Sequence, residues 1–580
     1  MPDLLLIVLL RFANACLTRT FFQADEFWQS LEPAHVMAFG YGELTWEWKF
    51  GLRSYAFPLL FEILYRFILL IIRLYPIFVG VLLKVLGWLP LTQETLISWG
   101  TFFNSESTIS RIEYLGVIYG PKLLMSVISG LGEYYTLLFV QKLYLLTFVK
   151  ENDNKPSHLK NNVYIIAKVL TLSNLFNCFC ISRTFINSFE MSLTAISLYY
   201  WDWTQGNNIN SKDFKISLFI AISTCLQRPS NGLIWLVLGG TLLLNLSMNR
   251  RYKDIFMLLR KIIEMFLLAF ALNTSIDYYF YKELTFPIFR FIKFNFTSPL
   301  SRFYGVAPWN FHLFQSLPIL LGYSLPFFIY GLCVRIPTRE DKSSIWNPIV
   351  TVKLSIVINI IIFSVLSHKE FRFIYQLQPL FILISTMAIS KLNLSEYLTL
   401  KRLSFLKYLV PLVSVLISLT LCYCHESGSI AVMKYLHNKK TIDSLGFIMP
   451  CHSTPWQSYL HRNDIKSLWA ITCDPPLHLL EDKDAIEKLQ YYMDESDYLY
   501  DNIPKFMSDY FPSLTINNDG KNKEYEWPEY LVIFEHLDDE YMNTYLQDSI
   551  YTEEIRFFNS LVHWDHRRAG DLIVYHKSQG

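Results

Sequence analysis

Along the first 424 positions apolar residues run in long stretches broken by short polar turns. The stretches 163–182, 231–248, 311–334, 346–366 and 405–424 each approach the roughly 20 residues a helix needs to cross a hydrocarbon core. Backbone amides find no water inside lipid and must bond within their own segment, so these runs predict transmembrane helices. A workable set of spans is 4–19, 55–74, 77–91, 119–147, 163–182, 188–203, 214–227, 231–248, 262–278, 311–334, 346–366, 373–390 and 405–424. The second and third also read as one bent or re-entrant hairpin, so about 11–13 spans are expected. The first segment lacks a basic leader and a small-residue cleavage site, and Arg11 interrupts it, so it reads as a retained span. After position 425 the pattern changes. Acidic runs such as "LLEDKDAIEKL" enclose two short apolar strands, "YLVIF" and "DLIVYH", which predict a small mixed α/β domain in water. The chain therefore divides into a transmembrane part, 1–424, with a polar first loop at 20–54, and a C-terminal domain, 425–580. No fixed-period repeat is present.

Charge decides which way the loops face. If the first span leaves the cytosol, the basic clusters Lys150/Lys155/Lys160, Arg250/Arg251/Lys253, Arg335/Arg339/Lys342 and Lys391/Lys401/Arg402 all fall inside, as positively charged loops should. The loop 279–310, with Lys282, Arg290, Lys293 and Arg302, is an exception. An odd number of crossings puts the tail on the far side.

Composition agrees with the pattern: 52% of the 580 residues are hydrophobic and 17% charged, and mean hydropathy is +0.26. The net charge of +1 gives no support for a nucleic-acid partner. Nine cysteines occur without metal-ligand spacing, which argues against a zinc site. Cys451 and Cys473, in the polar tail, are able to pair if that tail faces an oxidising compartment.

Laid on this topology, four ionic stretches share the far side. They are "QADEFWQSLEPAH" with Asp25, Glu26, Gln29, Glu32 and His35, continued by Glu47 and Arg53 in "TWEWKFGLRSY"; "SRTFINSFE" with Arg183; "QRPSNG" with Arg228; and "SHKEFRF" with His368, Lys369, Glu370 and Arg372. A helix opened by Asp25 would carry Gln29 and Glu32 on its face at i+4 and i+7, with Pro33 bending or ending it. Carboxylates beside guanidinium and ammonium groups at a membrane face suit a lipid-linked phosphosugar. The cations hold the phosphate and stabilise the charge growing on it, and one carboxylate takes the proton of the attacking hydroxyl. Each residue also has a plainer role. Asp and Glu favour helix starts, single arginines anchor loops at the interface, and Arg11 either snorkels or lines the cavity. Trp46 and Trp48 read as interface-belt residues, and Asn295-Phe296-Thr297 is a glycosylation sequon. Transporters also bury charges, but near the midplane and with related halves, neither of which is visible here.

"QADEFWQSLEPAH", "GELTWEWKFGLRSY", "SRTFINSFE", "HKEFRFIYQLQP" and "MPCHSTPWQSYLH" together resemble the endoplasmic-reticulum GPI mannosyltransferases that add the third mannose, within the dolichyl-phosphate-mannose-dependent GT-C superfamily. The acidic pair and "HKE-x-RF" are shared with sister enzymes of the N-glycan precursor and of the fourth GPI mannose. "DEFWQSLEPAH", "ELTWEW" and "CHSTPW" point to the third-mannose enzymes. The resemblance implies an inverting α-1,2 mannosyl transfer from dolichyl-phosphate-mannose to a GPI glycolipid intermediate in the lumen of that organelle. Asp25 is then the base with Glu26 in reserve, and His368, Lys369, Glu370 and Arg372 serve the donor phosphate. Arg183 and Arg228 join them on topology alone, and Gln29, Glu32, His35, Glu47 and Arg53 lie toward the acceptor. No metal cage is evident, and a divalent cofactor and protein partners are left open.

Overall fold

The computed structural model describes residues 2–88, 92–148, 156–297, 299–334, 347–392, 405–480, 482, 484–514, 523–563 and 565–578. The chain passes between the two ends of a helical bundle along Pro2–Leu17, Glu106–Phe148, Pro156–Leu172, Ile186–Tyr200, Lys212–Gln227, Gly232–Met248, Tyr252–Tyr281, His312–Cys333, Pro348–Val365, Phe371–Lys391 and Leu406–Cys424. Seven helices among the described residues are long and apolar enough to cross a membrane. The chain is a multi-pass α-helical membrane protein.

The expected second and third spans are a single helix, Ala56–Leu86, which continues unbroken through Pro76. At 1.5 Å per residue it is about 46 Å long, and the short helix Gln93–Phe103 doubles back along it, Gly100 standing under Leu83. Farther along, Gly116 and Gly120 of the next helix meet Ile68 and Leu64, where a β-carbon would collide. Lys122 donates to Ala15 O and Thr18 O at the end of the first helix (3.0 and 2.8 Å). The segment from 18 to 121 thus leaves and returns on one side. It makes an apolar excursion without a net crossing, and the tail emerges opposite the N-terminus.

Arg11 neither snorkels nor reaches the cavity. Its guanidinium is buried inside the bundle, bound by both oxygens of Glu133 (2.5 and 2.7 Å). Asn177 donates to the same carboxylate (3.0 Å) and accepts from Tyr375 (2.6 Å), so each buried charge meets opposite charge or a hydrogen bond. Among the basic clusters, Arg251 at the end away from the tail donates to Gly206 O. Lys150, Lys155, Arg335, Arg339, Lys342, Lys401 and Arg402 lie outside the described residues, as does the side chain of Lys160. The exceptional loop 279–310 faces the tail end, where Arg290 donates to Phe50 O and Arg302 lines the cavity described below.

Among its described residues the tail carries five strands rather than two: β1 (Ser444–Ile448), β2 (Ser467–Ala470), β3 (Tyr530–Phe534), β4 (Tyr551–Phe557) and β5 (Leu572–Lys577), in the order β2-β1-β3-β5-β4. β1 is parallel to β2 and β3, and β5 is antiparallel to β3 and β4. β3 and β5 are the continuous apolar runs legible in the sequence, buried on both faces. β4 alternates weakly and was not. Cys451 and Cys473 form a disulfide, with Cα atoms 5.8 Å apart and a sequence separation of 22. Closing a loop of that size is worth roughly 3 kcal/mol by chain entropy. Cys451→Ser with Cys473→Ser should therefore lower the unfolding midpoint of the tail by several degrees, measured by differential scanning fluorimetry; an unchanged midpoint would mean the bridge does not stabilise this fold.

Candidate active site

The helix expected to open at Asp25 is two short helices, not one. Asp25–Trp28 ends at Gln29, and Leu31–Phe39 begins with Pro33 in its first turn, where proline lacks no needed hydrogen bond. The break separates Asp25 from Glu32. Asp25 faces a cavity of about 1160 Å³ bounded by the first loop, the 228–230 turn, the 291–304 segment, the 365–373 turn and the tail. Glu26, one position along the helix, points the other way. It is buried against Arg183 (3.0 Å), and Arg183 also binds Thr20 O (2.8 Å) and Phe179 O (3.0 Å). Burial raises the Glu26 carboxyl despite the guanidinium beside it. Glu26 and Arg183 therefore anchor the loop to the bundle and do not line the cavity.

Opposite Asp25 stands the "HKEFR" turn. Glu370, extended at the start of a tight helical turn, accepts from Arg372 Nε and Nη2 (2.7 and 2.8 Å), from Gln23 (3.2 Å) and from the His368 ring (3.2 Å). Burial alone would raise this carboxyl, but Arg372 and His368 hold it well below the usual carboxylate range. Arg372 then offers Nη1 to Asp25 Oδ2 at 2.5 Å. Three of the four ionisable groups of this turn, His368, Glu370 and Arg372, thus form a ladder that aims one guanidinium at one aspartate. Arg228 and Arg53 line the same cavity, and Arg53 is held by Glu47 (2.7 Å), which also accepts from Gln29 (3.2 Å).

Lys369 lies outside this ladder. Its ammonium donates to Ala307 O (2.7 Å) and faces a separate apolar groove of about 460 Å³, lined by Val306, Trp309, Leu313, Ile360 and Ile361. Groove and cavity share Val365, Leu366 and Ser367 as a common wall.

Glu32 and His35 do not reach the cavity either. Glu32 is buried under the tail and accepts Trp456 N (2.8 Å), Ser458 N (3.1 Å) and Ser458 Oγ (2.5 Å). Burial lifts its carboxyl to about 7, against the pull of those donors. His35 meets His461 (2.9 Å), and the Trp28 indole donates to Thr454 O (3.0 Å). "DEFWQSLEPAH" and "MPCHSTPWQSYLH" are therefore the two halves of one clasp, which fixes the tail over the site. Trp46 and Trp48 are buried in this loop rather than set in a membrane belt, Trp48 donating to Trp28 O (3.0 Å).

The tail adds residues that the sequence did not single out as site candidates, although His452 stands in "CHSTPW": His452, Asp494, Asp497, Arg567 and Arg568 close the cavity from the far side. The ring of His452 is kept neutral by burial, its pKa near 4. Cys451, His452 and Cys473 are the one grouping among the described residues with metal-like spacing, and the disulfide occupies both sulfurs. Asn295 also lines the cavity, its amide donating to Phe291 O (3.0 Å), so a glycan attached there would fill substrate space.

The family model described as the Alg9-like mannosyltransferase family matches residues 4–461. The chain is 54% identical to GPI mannosyltransferase 3 of Kluyveromyces lactis, over 98% of each chain. It is 53% identical to that of Saccharomyces cerevisiae, over 98% of this chain and 94% of the other. Among solved structures, ArnT from Cupriavidus metallidurans bound to undecaprenyl phosphate aligns with 99% of this chain and 97% of its own, at a TM-score of 0.50 and 9% identity, a likeness of fold.

Proposed function

Because the chain belongs to the Alg9-like mannosyltransferase family, we propose that it transfers mannose from dolichyl-phosphate-mannose to a GPI-anchor precursor, forming the third mannose in α-1,2 linkage. Full-length identity to GPI mannosyltransferase 3 of two yeasts, tail included, supports this acceptor over that of a sister enzyme. The observation that carries the reading is the placement of Asp25: its carboxylate faces the cavity, paired with Arg372 and within the field of Arg53 and Arg228, beside an apolar groove.

The chemistry follows from that placement. The isoprenoid chain lies in the groove, with the Lys369 ammonium at its wall, and the sugar projects past Ser367 and His368 into the cavity. The acceptor hydroxyl attacks the anomeric carbon on the face opposite the phosphate. As the new C–O bond forms, the bond to the phosphate oxygen breaks and its electron pair stays on the phosphate. Asp25 takes the hydroxyl proton. Because phosphate is a good leaving group, no second carboxyl acid is required, unlike a glycosidase. Arg53, Arg228 and Arg372 stabilise the charge that develops. The disulfide supports a tail in an oxidising compartment, and hence a lumenal site in the endoplasmic reticulum.

Purified protein given dolichyl-phosphate-mannose and a two-mannose GPI precursor should yield a three-mannose product that an α-1,2-mannosidase trims. Elongation only of a three-mannose precursor or of an N-glycan intermediate would overturn the reading. Arg372→Ala frees Asp25 from its partner and leaves Glu370 uncompensated, so kcat at saturating substrates should fall on the order of a hundredfold; a loss below about threefold would make the ladder mere scaffold. A glycosylation tag placed after residue 578 should acquire a lumenal glycan, and an unmodified tag would reverse the orientation.

A further inference from the structure

The three guanidinium groups around Asp25 differ in what already binds them. Arg53 is held by Glu47 and Arg372 by both oxygens of Glu370. The Arg228 guanidinium donates no hydrogen bond among the described residues, although the residue is only 8% exposed. Its Nε stands 3.7 Å from Glu190 Oε2, too far for a hydrogen bond yet close enough for attraction. The backbone holds this position firmly. Arg228 precedes Pro229, which confines it to extended geometry (φ −136°, ψ 92°).

Glu190 is fixed in turn. Its Oε1 accepts from the Asn231 amide (3.2 Å), which also reaches Thr194 Oγ1 (2.9 Å) and Gln376 Oε1 (2.7 Å). The Trp235 indole closes the knot on Asn231 Oδ1 (2.7 Å). A buried guanidinium left without hydrogen bonds is costly. Here it is tethered from behind by one carboxylate and open in front, the arrangement of a receptor completed by an arriving anion.

We propose that Arg228 is the principal ligand of the donor's phosphate, and that Glu190, buried in the Ile186–Tyr200 helix, is the positioning residue that keeps its guanidinium turned into the cavity. This assignment rests on the mannosyl-donor reading above. Phosphodiester is the chemistry recognised, and both the lipid donor and the glycolipid acceptor offer one, so the two are varied separately.

The test uses the full chain in lipid nanodiscs, with initial rates measured against each substrate. Arg228→Gln should raise donor KM roughly tenfold or more and leave acceptor KM within about twofold. Glu190→Gln should raise donor KM by a smaller factor, roughly threefold to fivefold, and Glu190→Asp should recover most of it. Inhibition by dolichyl phosphate should weaken by the same factors, a readout that a generally loosened fold would not reproduce selectively. If Arg228→Gln fails to accumulate, Arg228→Lys, which keeps the charge and loses the fork, is read against the same thresholds. An equal rise in both KM values, a rise for the acceptor alone, or an unchanged donor KM in Glu190→Gln overturns the assignment. Failure of the unaltered protein to make product would sink the mannosyl-donor reading instead, so the two failures remain distinct.

Discussion

Asp25→Asn should abolish transfer, lowering kcat on the order of a thousandfold or more, while the protein still inserts, accumulates and elutes as the unaltered chain. A general base contributes about 10²–10⁴ in rate, and among the described residues Asp25 is the one carboxylate from outside the "HKEFR" turn that both pairs with Arg372 and lines the cavity. The amide keeps the shape and much of the polarity of the side chain but accepts no proton. Asp25→Glu, which pushes the carboxylate outward by a methylene, should retain a few per cent of the rate. The rival explanation for an acid at this position is support of the helix start. Yet no side chain caps the Asp25–Trp28 helix, and at one turn long it has little dipole to complement. Initial rates at saturating donor and acceptor, set beside thermal stability, separate the two. A near-normal rate for Asp25→Asn would remove it as the base.

The second large effect is expected far from the chemistry. Glu32→Ala should destabilise the junction between the first loop and the tail by about 3 kcal/mol and eliminate most activity. The substitution deletes one acceptor but strands two backbone amides and a hydroxyl, at Trp456 and Ser458, in a buried place. An unsatisfied buried donor costs about 1–3 kcal/mol. The same clasp carries Trp28, three residues from Asp25 and packed against His452 (ring centroids 4.6 Å apart) and Trp456, so its loosening reaches the base directly. Limited proteolysis should expose the 450–461 segment in Glu32→Ala and leave it protected in Glu32→Gln, whose amide oxygen still accepts from one of those donors. Unaltered melting and turnover in Glu32→Ala would mean the tail docks by other contacts.

Much of this arrangement was legible in the sequence because hydropathy in a bilayer is a coarse, strong signal. The runs at 232–248, 348–365 and 406–424 needed only length and apolarity, and counting them brought the four ionic stretches to one end. What remained hidden was direction within a stretch. Asp25 and Glu26 differ by about 100° around a helix, and with aromatics on both sides no periodicity told which faced water. Lys369 and Arg372 lie three residues apart in one tight turn and still serve different spaces, because the wall between groove and cavity is only Val365–Ser367 thick. The expected spans 55–74 and 77–91 part beside Pro76. The helix runs through it because proline forfeits one hydrogen bond and crowds one carbonyl, a loss a long helix absorbs. In the tail, β3 and β5 announced themselves as unbroken apolar runs, whereas β1, β2 and β4 are short or half-polar and exist by pairing. Glu190 stood in full view within "SRTFINSFE", but only its neighbours in space reveal that it backs Arg228.

The apolar excursion between residues 18 and 121 has a consequence for how this protein is oriented. Because it departs and comes home at the same end of the bundle, it adds nothing to the parity of the path. Every hydrophilic segment downstream keeps its compartment whether the helical part of that excursion, Ala56–Leu86 with Gln93–Phe103, runs deep or shallow. The sidedness of the cavity rests on the first helix and those that follow residue 121, and the Ala56–Leu86 and Gln93–Phe103 helices are free to change in length without turning it to the other face.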